Sequence, residues 1–515
     1  NRRCGCLVVG GEGGVIMPAV YLFGFNKHSL QRHNHSRVYR WDKDIATAMP
    51  PSLSPSPTIL TPHLPPKTLV GIDLVTFTST PHFHGIRDLP NGWHFLYTGT
   101  TETLSLRCGG WFYIGDFSAI DRSARTSDGA VVSRPSESPG TEVLVWKWGS
   151  EAEILVPLKG ESHAEEQEAL RYKANLGAIW QSGGLFRYRS HVSAPTPGNR
   201  PAAANNDHDE EDEEEGRKDW KGLTDYLSPK LLSRITGQPD IDTDGRPRWI
   251  VNSASTATRD TEYIPGISGS EQESRGSLVE EQERELSFLP VDLRKTWREG
   301  AIGRERTEAA RDYSWALGDI ISRYSDTAEA TMDSERSGEV QILGELQFTF
   351  LMALTLMNYS CLQQWKRLLG LLFACRSAIK DREQLMADVL RLLLLQLKRC
   401  DDLEGGFFEI DSDDGGEFLR KLLVKFSRSV EEVAGGEESA VKSQLKVLED
   451  WVTSEFGWEL QPASFVRRGK LQLEDGEEVE LEMSDNADEE TGEYAPVVVE
   501  MEETQEDVDM TDTHR

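Results

Sequence analysis

Short runs of β-branched and aromatic residues, separated by turn residues, characterise the chain from about residue 68 to residue 156. These runs are TLVGIDLVTFTS, NGWHFLYTG, GGWFYIGDF and TEVLVWKWGSEAEILV, with Gly, Pro, Asn and Asp between them. Runs of this length and composition are typical of an antiparallel sheet. Because apolar residues occupy both alternating sets of positions in VLVWKW, the sheet is expected to have apolar groups on both faces, with part of it covered.

The second half of the chain has the periodicity of helices. In residues 306–324 apolar residues recur at spacings of three and four, which predicts one amphipathic helix. Residues 343–379 are apolar almost all round, as expected for helices at the centre of a helical array, with a break at MNYS. Further helices are predicted over residues 381–400, 418–433 and 439–456, and shorter ones over residues 162–181 and 220–237.

The order of strands before helices predicts an α+β fold, in which an N-terminal antiparallel β-rich domain is followed by a C-terminal α-helical domain. The predicted divisions are a disordered extension or the product of a faulty gene model over 1–66, the β-rich domain over 67–250 with an acidic loop at 205–216, a Ser/Glu-rich loop over 251–285, the helical domain over 286–465, and a disordered acidic tail over 466–515.

Two segments account for most of the formal net charge of −31. From Glu474 onward there are eighteen Asp and Glu residues and one Arg, and the run DHDEEDEEE (residues 207–215) adds eight acidic residues, so the two segments contribute −17 and −8. The remainder is close to neutral. This distribution argues against charge-driven binding of nucleic acid by those segments, and a role near RNA is expected to run through another protein.

The acidic tail has two interpretations. One is a solvating, partly disordered tail, which is typical of such composition. The other is a mimic that competes with RNA for a basic surface on a partner.

The Ser/Glu-rich loop contains candidate phosphorylation sites. Ser268, Ser270 and Ser277 each have Glu three residues later, a pattern that suits an acid-directed kinase. A phosphate there would add about two negative charges.

The six cysteines are too few in so long a chain for a disulfide framework. Cys361, Cys375 and Cys400 lie in apolar helical segments, where a thiol behaves as a small hydrophobic group. A reducing, intracellular setting is therefore expected.

The apolar run of residues 15–25 contains Pro18 and is too short to span a bilayer, so no membrane association is expected.

Three histidines lie close together in the stretch TPHFHGIRDLPNGWHFLY (residues 80–97). His82, His84 and His94 suggest a metal site and hence a metal-dependent enzyme, but a tetrahedral site needs converging ligands, and Asp88 is the one acidic residue nearby. Ordinary strand histidines are the favoured interpretation.

Other enzyme motifs are also missing. The glycine run VVGGEGGV lacks the βαβ context of a dinucleotide loop, and the chain contains no GxSxG, HExxH or GxxxxGK[ST] motif. We therefore expect no enzymatic activity, no cofactor and no metal.

The same histidine stretch begins a set of motifs that resembles the A1 cistron-splicing factor (Aar-two) family. The motifs are GID (residues 71–73), FHGIR (83–87), PNGWHF (90–95) and GWF (110–112), followed in order by ANLGAIW, LTDYLS, LSFLP, RDYSWAL, LGELQFTF, NYSCLQQWKRLLGLL and FFEID. The resemblance covers about residues 68–452. The signature positions expected to be structural are Gly71, Gly85, Pro90, Gly92, His94, Phe95, Gly344, Glu345 and Trp365.

The resemblance implies a β-rich domain followed by a VHS-like helical domain, and a non-enzymatic assembly factor of the U5 snRNP. Such proteins bind the large U5 scaffold protein through its RNase H-like and Jab/MPN-like domains until the spliceosomal helicase replaces them in the maturing tri-snRNP. Cytoplasmic and nuclear localisation follows as an expectation. Within the signature, Gly92 is expected to supply a positive φ after Pro90, Phe95 to lie in the sheet core, and His94 to bond a backbone carbonyl.

Two other functions remain open at this stage. One is the metal-dependent enzyme that would use His82, His84 and His94. The other is a generic helical adaptor whose β-rich domain only caps the helical array.

Overall fold

The computed structural model describes eleven stretches of the chain, namely residues 56–100, 106–120, 142–160, 162–190, 206–257, 285–325, 332–400, 417–435, 438–460, 467–472 and 478–483. Side chains are described throughout these stretches except at residues 118–119, 206–210 and 332–335 and in the last two stretches.

The strands of the described residues are β1 (Thr58–Leu60), β2 (Leu69–Ile72), β3 (Val75–Thr78), β4 (Gly85–Arg87), β5 (Gly92–Gly99), β6 (Arg107–Ile114), β7 (Val143–Gly149), β8 (Ile154–Pro157), β9 (Leu185–Arg187), β10 (Asp240–Ile241), β11 (Pro247–Asn252), β12 (Arg467–Gln472) and β13 (Glu478–Met483). The helices are α1 (Phe117–Ile120), α2 (His163–Ala174), α3 (Leu176–Gln181), α4 (Asn206–Thr224), α5 (Pro229–Thr236), α6 (Arg304–Arg311), α7 (Ser314–Tyr324), α8 (Met332–Leu356), α9 (Tyr359–Leu372), α10 (Ala378–Asp381), α11 (Glu383–Lys398), α12 (Glu417–Ala434) and α13 (Ala440–Phe456).

Two sheets form the N-terminal part of the fold. A six-stranded sheet has the order β10-β11-β6-β5-β2-β3 and is antiparallel throughout. A five-stranded sheet has the order β8-β7-β1-β4-β9 and is mixed, because β1 pairs parallel with β7 and β4 pairs parallel with β9. The N-terminal region is therefore β-rich as predicted, but it is not wholly antiparallel.

The six-stranded sheet lies between two other layers. Side chains alternate along its strands, so that Leu96 and Phe112 pack against the five-stranded sheet, while Phe95 and Trp111 pack against the helices. The outer face of the five-stranded sheet is covered by α2 and α3, where Val145 and Ala169 share a small core. The prediction of apolar groups on both faces is confirmed, and both faces are covered.

Helices build the second half of the described chain. The residues around α8 and α9 are buried on nearly every side, including Phe348, Leu351 and Leu368, as the continuous apolar pattern predicts. The turn between these helices falls at Met357 and Asn358, inside the predicted MNYS break. The α+β class, with strands first and helices after, is confirmed. No helix among the described residues is long and apolar enough to cross a membrane.

The prediction that residues 1–66 form a disordered extension or a gene-model product is wrong at the C-terminal end of that range. Residues 58–60 form β1, all three are buried, and they pair with both β4 and β7 at the centre of the five-stranded sheet. The sequence signal was weak because TIL is short and stands among prolines, so the pairing partners decided its conformation. Residues 1–55 of the extension, including Cys4 and Cys6, lie outside the described residues.

The acidic run predicted as a loop at 205–216 is helical, since α4 begins at Asn206. Acidic residues near a helix N-terminus are stabilised by the helix dipole. The C-terminal half of the same helix buries Trp220 and Leu223, and Arg399 Nε donates to Asp219 at 2.8 Å. The Asp219–Arg399 contact holds the helix against the end of α11, and Trp220 holds it against the six-stranded sheet; the local composition could not indicate either.

Other predicted elements also differ from the structure. The helix predicted over residues 306–324 is two helices, α6 and α7, separated at Asp312 and Tyr313. LSFLP (residues 286–290), which resembles a return strand, forms no strand. Part of the predicted disordered tail forms a hairpin in which Arg468 stands opposite Glu482 and Lys470 opposite Glu480. The domain boundaries themselves remain predictions.

Asp312 joins the α6–α7 break to the segment between α9 and α10. Its carboxylate accepts hydrogen bonds from the amides of Ser314, Arg376 and Ser377 at 2.9–3.0 Å, and from the hydroxyls of Ser314 and Ser377. Burial alone would raise the pKa of Asp312, but the serine hydroxyl and amide donors outweigh it and lower the pKa below its usual value.

We predict that Asp312→Asn lowers the free energy of unfolding at pH 7 by about 1–3 kcal/mol, because donors to a charged acceptor lose that charge. Since the folded-state pKa is depressed, the Asp312 contribution is present above the unfolded-state value of about 3.9 and is lost as pH falls through the folded-state pKa. Urea unfolding between about pH 3 and pH 7 measures this. Asp450→Asn, at an exposed position on α13, is the matched control, and equal pH dependence in both variants would contradict the prediction.

Candidate functional site

Asp73, His94 and Tyr188 form a buried polar cluster at the PNGWHF motif, whose flanking strands β4 and β5 lie in different sheets. His94 Nδ1 lies 2.8 Å from Asp73 Oδ2, and His94 Nε2 lies 2.8 Å from the Pro90 carbonyl oxygen. Asp73 Oδ1 accepts from the Phe95 amide at 2.9 Å, and Asp73 Oδ2 accepts from the Tyr188 hydroxyl at 2.7 Å. The expected bond from His94 to a backbone carbonyl is therefore present.

Both ring nitrogens of His94 face hydrogen-bond acceptors. The Pro90 carbonyl oxygen can only accept, so Nε2 carries a proton, and a second proton on Nδ1 lets the ring donate to Asp73 as the imidazolium cation. Burial by itself would lower the pKa of His94, but the charge of Asp73, its hydrogen bond and the Pro90 carbonyl raise the pKa above its ordinary value. Burial, followed by Asp73, raises the pKa of Tyr188 far above its usual range, so its hydroxyl remains a donor.

The other signature positions of the sheet are explained by close packing. The Tyr97 ring lies over Gly71, where a Cβ would stand 2.0 Å from Tyr97 Cζ. Gly92 has φ +139°, the positive value expected after Pro90, and Phe95 is fully buried as expected. Gly85 sits so close to β1 that a Cβ would lie 2.2 Å from the Ile59 carbonyl oxygen.

The signature positions of the helices form a second buried polar cluster. Glu345 is fully buried, accepts from the Leu289 amide at 3.0 Å and from Gln364 Nε2 at 2.8 Å, and forms an ion pair with Arg234 at 2.8 Å. These partners join α8 to α9, to α5 and to the segment that resembled a strand. Because a buried carboxylate is costly without donors, Glu345 requires all of them in place.

Gly344 and Trp365 complete the helical signature. A Cβ at Gly344 would lie 2.7 Å from the Tyr226 carbonyl oxygen, so glycine lets α8 approach the α4–α5 connection. Trp365 Nε1 donates to Gln396 Oε1 at 3.0 Å, and Gln396 Nε2 donates to the Leu346 carbonyl at 3.1 Å. These bonds tie α9, α11 and α8 together, and Trp365 is structural, as the sequence suggested.

Tryptophans join the six-stranded sheet to the helices. Trp220 Nε1 donates to the Trp93 carbonyl at 2.7 Å, and Trp93 Nε1 donates to the Leu227 carbonyl at 3.2 Å. The ring of Trp111 stacks on that of Trp220 with centroids 6.0 Å apart, and it also meets Phe348 of α8. One continuous hydrophobic core therefore includes residues of both regions.

At one end of this contact, polar side chains fasten the sheet to the α8–α9 turn. Arg107 of β6 donates to the Thr355 carbonyl at 2.8 Å. Asn358 Nδ2 donates to the carbonyls of Ser255 at 2.8 Å and Asn252 at 3.1 Å, and Asn358 Oδ1 caps α9 by accepting from the Cys361 amide. Local sequence gave no signal for the bonds of Arg107 to Thr355 or of Asn358 to Ser255 and Asn252, which join residues more than a hundred positions apart.

Three large apolar side chains are exposed around this junction. Leu106 is 76% exposed, Tyr359 64% and Met357 36%, and Met357 has φ +57°, which is unusual for a residue with a side chain. We call Leu106, Met357 and Tyr359 the seam patch. A strained backbone that holds apolar groups toward solvent is typical of a binding surface rather than of a core.

The proposed metal ligands do not come together as a site. His82 and His84 are exposed in the segment before β4, while His94 is buried with both ring nitrogens bonded. No group of three or more His, Cys, Asp or Glu suited to a metal ion occurs among the described residues.

The candidate phosphorylation sites Ser268, Ser270 and Ser277 lie outside the described residues, as does FFEID. Cys108, Cys361, Cys375 and Cys400 are buried thiols.

Asp73 and Tyr188 are the contributors that sequence reasoning missed. Asp73 was quoted as part of the GID motif without a role, and Tyr188 was not singled out. The signal for Asp73 was an acidic residue within a strongly apolar strand pattern, where an unpaired carboxylate would be costly. Nothing in the sequence pointed to Tyr188, which lies 115 positions away from Asp73.

Comparison with known proteins finds similarity in both the β-rich region and the helical region. A family model described as the AAR2 N-terminal domain matches residues 55–237, and one described as the AAR2 C-terminal repeat region matches residues 288–461. Protein AAR2 homolog of Homo sapiens is 24% identical over 417 residues, which cover 78% of this chain and 89% of the human protein. The Mus musculus homolog is 25% identical over 417 residues, with the same coverage. That of Caenorhabditis elegans is 22% identical over 399 residues, covering 76% of this chain and 90% of the nematode protein.

We predict that stability depends on the charge of His94. Because its folded-state pKa is raised, the contribution of the His94–Asp73 pair is complete below the unfolded-state pKa of about 6.5 and is lost as pH rises through the folded-state pKa. Urea unfolding at several pH values from about 6 to 9 should show a fall in unfolding free energy that His94→Gln removes, together with a loss of about 3–5 kcal/mol at the lower pH.

The control is His163→Gln, whose imidazole is 81% exposed. It should leave the pH dependence of unfolding unchanged. If wild-type protein and His94→Gln lose stability in parallel as pH rises, the buried imidazolium is not the origin of the effect.

Proposed function

The chain belongs to the AAR2 family, and from that premise we propose that it is a non-enzymatic pre-mRNA splicing factor. It binds the large U5 snRNP scaffold protein, which contains RNase H-like and Jab/MPN-like domains, and assists maturation of the U5 particle into the tri-snRNP of the spliceosome. The observation that carries the proposal is the match of family models to both regions of the chain. The family motifs of the sequence, together with this membership, support a splicing-related role.

The distribution of charge supports a protein as the direct partner. Most of the formal charge of −31 lies in acidic segments, which repel the phosphate backbone of RNA. A protein of this kind acts near RNA by binding a protein that itself contacts RNA. We propose cytoplasmic and nuclear localisation, as the family resemblance implies.

The seam patch supports an interface on this chain. Leu106 comes from the β-rich region, while Met357 and Tyr359 come from the helical region, and Arg107 and Asn358 hold the two regions together beside them. Aromatic and methionine side chains are enriched at protein interfaces. We assign the seam patch as a contact site for the scaffold protein.

The two alternative functions have less support. For a metal-dependent enzyme, His94 would have to abandon its bonds to Asp73 and Pro90, which leave neither ring nitrogen available to an ion. For a helical adaptor, the β-rich region would serve only as a cap, but Trp93, Trp111 and Phe348 contribute to one core that extends through both regions. Assembly by protein binding uses both regions.

We predict that tagged full-length protein captures the U5 scaffold from nuclear and cytoplasmic extracts, and that its depletion lowers the amount of mature tri-snRNP. Capture is measured by quantitative mass spectrometry and tri-snRNP by gradient sedimentation. Absence of the scaffold from the captured material would reject the proposed function.

The double variant Leu106→Asp, Tyr359→Asp should weaken scaffold capture by about tenfold or more, because buried interface anchors contribute about 2 kcal/mol or more each. The matched control is Ile302→Asp, Val447→Asp, which places charge at two other exposed apolar positions, 74% and 51% exposed. Circular dichroism and thermal melting verify that both variants fold. Equal capture by both double variants would exclude the seam patch as the contact site, while leaving the scaffold as partner.

A further inference from the structure

The outward side of α2 and α3 carries exposed apolar side chains. Leu170 is 64% exposed and Trp180 38%, while the opposite side of the two helices, with Ala169 and Ile179, packs on the five-stranded sheet. From residue 174 to residue 184 the chain contains no charged residue, although 28% of all its residues are charged. Surface helices normally place charged and polar residues on the side that faces water. The outward side therefore has the composition of a contact surface.

The exposed positions lie along one side of both helices, because Asn175 between them also has right-handed helical dihedral angles. Spacings of four, three and four residues connect four of these positions, namely Leu170, Ala174, Gly177 and Gln181. Trp180 lies at the edge of this line. A Cβ added at Gly177 would meet no atom within 4 Å, so the space above the line is open. We call Leu170, Ala174, Gly177, Trp180 and Gln181 the α2–α3 face.

The chain enters the described fold next to this face. The Ser56 hydroxyl oxygen accepts from the Asp88 amide at 3.3 Å. The Asp88 carboxylate accepts from Arg87 Nη1 at 2.7 Å, and the guanidinium carbon of Arg87 lies 4.8 Å from the ring centroid of Trp180. The residues that precede Ser56 therefore start close to the Trp180 end of the α2–α3 face.

A segment shortly before Ser56 contains large apolar side chains. Within residues 38–49, which we call the entry segment, these side chains are Val38, Tyr39, Trp41, Ile45 and Met49. Burial of such side chains against another apolar surface is favourable. The match to the family model begins at residue 55, so the entry segment lies outside the part of the chain that the family model covers.

We propose that the entry segment docks on the α2–α3 face of the same chain. Its apolar side chains cover Leu170 and Trp180, and the docked segment closes this face to other proteins. This docking is independent of the proposed splicing role, because it uses neither the seam patch nor a partner.

The connection between the entry segment and the fold has a suitable length. Residues 50–55 include three prolines, and Pro-rich chains extend by about 3.1 Å per residue, so six residues reach about 20 Å. Leu170 and Trp180 are about 15 Å apart along the helices, at about 1.5 Å per residue. Because the segment is tethered, its effective concentration at the face is in the millimolar range, about that of a short linker. A modest affinity then suffices for docking.

A second copy of the chain is the competing occupant, and the α2–α3 face suits it less well. Stable interfaces between separate proteins bury about 1,200 Å² or more. The large apolar side chains exposed on this face are two, Leu170 and Trp180. A tethered segment needs less contact area, because it does not lose the translational freedom of a separate molecule.

Thiol labelling of the purified full chain tests the docking directly. In a background of Cys4→Ser and Cys6→Ser, Ala174→Cys places an accessible thiol on the α2–α3 face, since the cysteines of the described residues are buried. Maleimide should label this thiol about tenfold faster when Trp41→Asp and Ile45→Asp release the entry segment, because the docked segment shields the thiol for most of the time.

The control thiol is Ala310→Cys on α6, an exposed position whose labelling rate should be the same with and without Trp41→Asp and Ile45→Asp. Equal labelling of Ala174→Cys with and without those two substitutions would overturn the proposal, in favour of a face that is open in the purified protein. Shielding that disappears on dilution by about a hundredfold would also overturn it, since only contact between copies depends on concentration.

Substitutions on the face assign the site. In the same cysteine background, the thiol of Ala46→Cys in the entry segment should be labelled about tenfold faster in Leu170→Asp, Ala174→Asp, because charges on an apolar contact surface oppose its burial. The matched control is Ile302→Asp, Ala310→Asp, which places charge at two other exposed positions and should leave the labelling unchanged. Thermal melting verifies that both double variants fold. Equal labelling in the two double variants would overturn the assignment of the face.

Photo-cross-linking gives a second measurement. A benzophenone amino acid in place of Gln181 should form links to residues 38–49, which mass spectrometry identifies. Mixing isotopically labelled and unlabelled protein distinguishes links within one chain from links between copies. Links confined to other segments, or formed only between copies, would overturn the proposal.

Discussion

Burial of both faces of the six-stranded sheet is the constraint on which the rest of the fold depends. Leu96 and Phe112 face the five-stranded sheet, while Phe95 and Trp111 face α4 and α8. A sheet of this kind cannot be stable until both of its partner layers are in place, because each exposed face would leave large aromatic surfaces in water. The sheets and helices are consequently parts of one folding unit, although the sequence presents them as separate regions.

Two clusters of polar groups inside this three-layer arrangement each bring several donors and acceptors together. Asp73, His94 and Tyr188 satisfy one another between the sheets, and Glu345 gathers donors from three elements among the helices. Such clusters contribute specificity because a shifted register leaves a charge unpaired in a medium of low dielectric. Within the family signature, His94 and Glu345 therefore hold the surrounding strands and helices in their relative positions.

Charge is separated along the chain in a way that bears on its partners. The acidic excess lies in the run at the start of α4 and in the C-terminal segment, while α12 concentrates basic residues on one face. Since long-range electrostatics governs encounter rates and shielding more than fold, this separation affects which surfaces are accessible to a partner. The seam patch, by contrast, is apolar.

Sequence by itself determined the strands β2, β3 and β5–β8, the helical half and the order in which they occur. Alternation in VLVWKW and the apolar pattern around α8 and α9 require burial on particular faces, and local rules placed Gly92, Phe95 and the carbonyl partner of His94 correctly. These features depend on residues close together in the chain, whose periodicity and turn preferences can be read from the local sequence.

Only the tertiary structure decided which distant residues meet. The helical state of the acidic run depends on Trp220 and on the ion pair of Asp219 with Arg399, and the strand at residues 58–60 depends on β4 and β7. Tyr188 could not be joined to Asp73, nor Asn358 to Ser255, because the free energy of these contacts appears only when separate elements have packed. The physical reason is that local propensity acts over a few residues, whereas burial and hydrogen-bond satisfaction act across the whole fold.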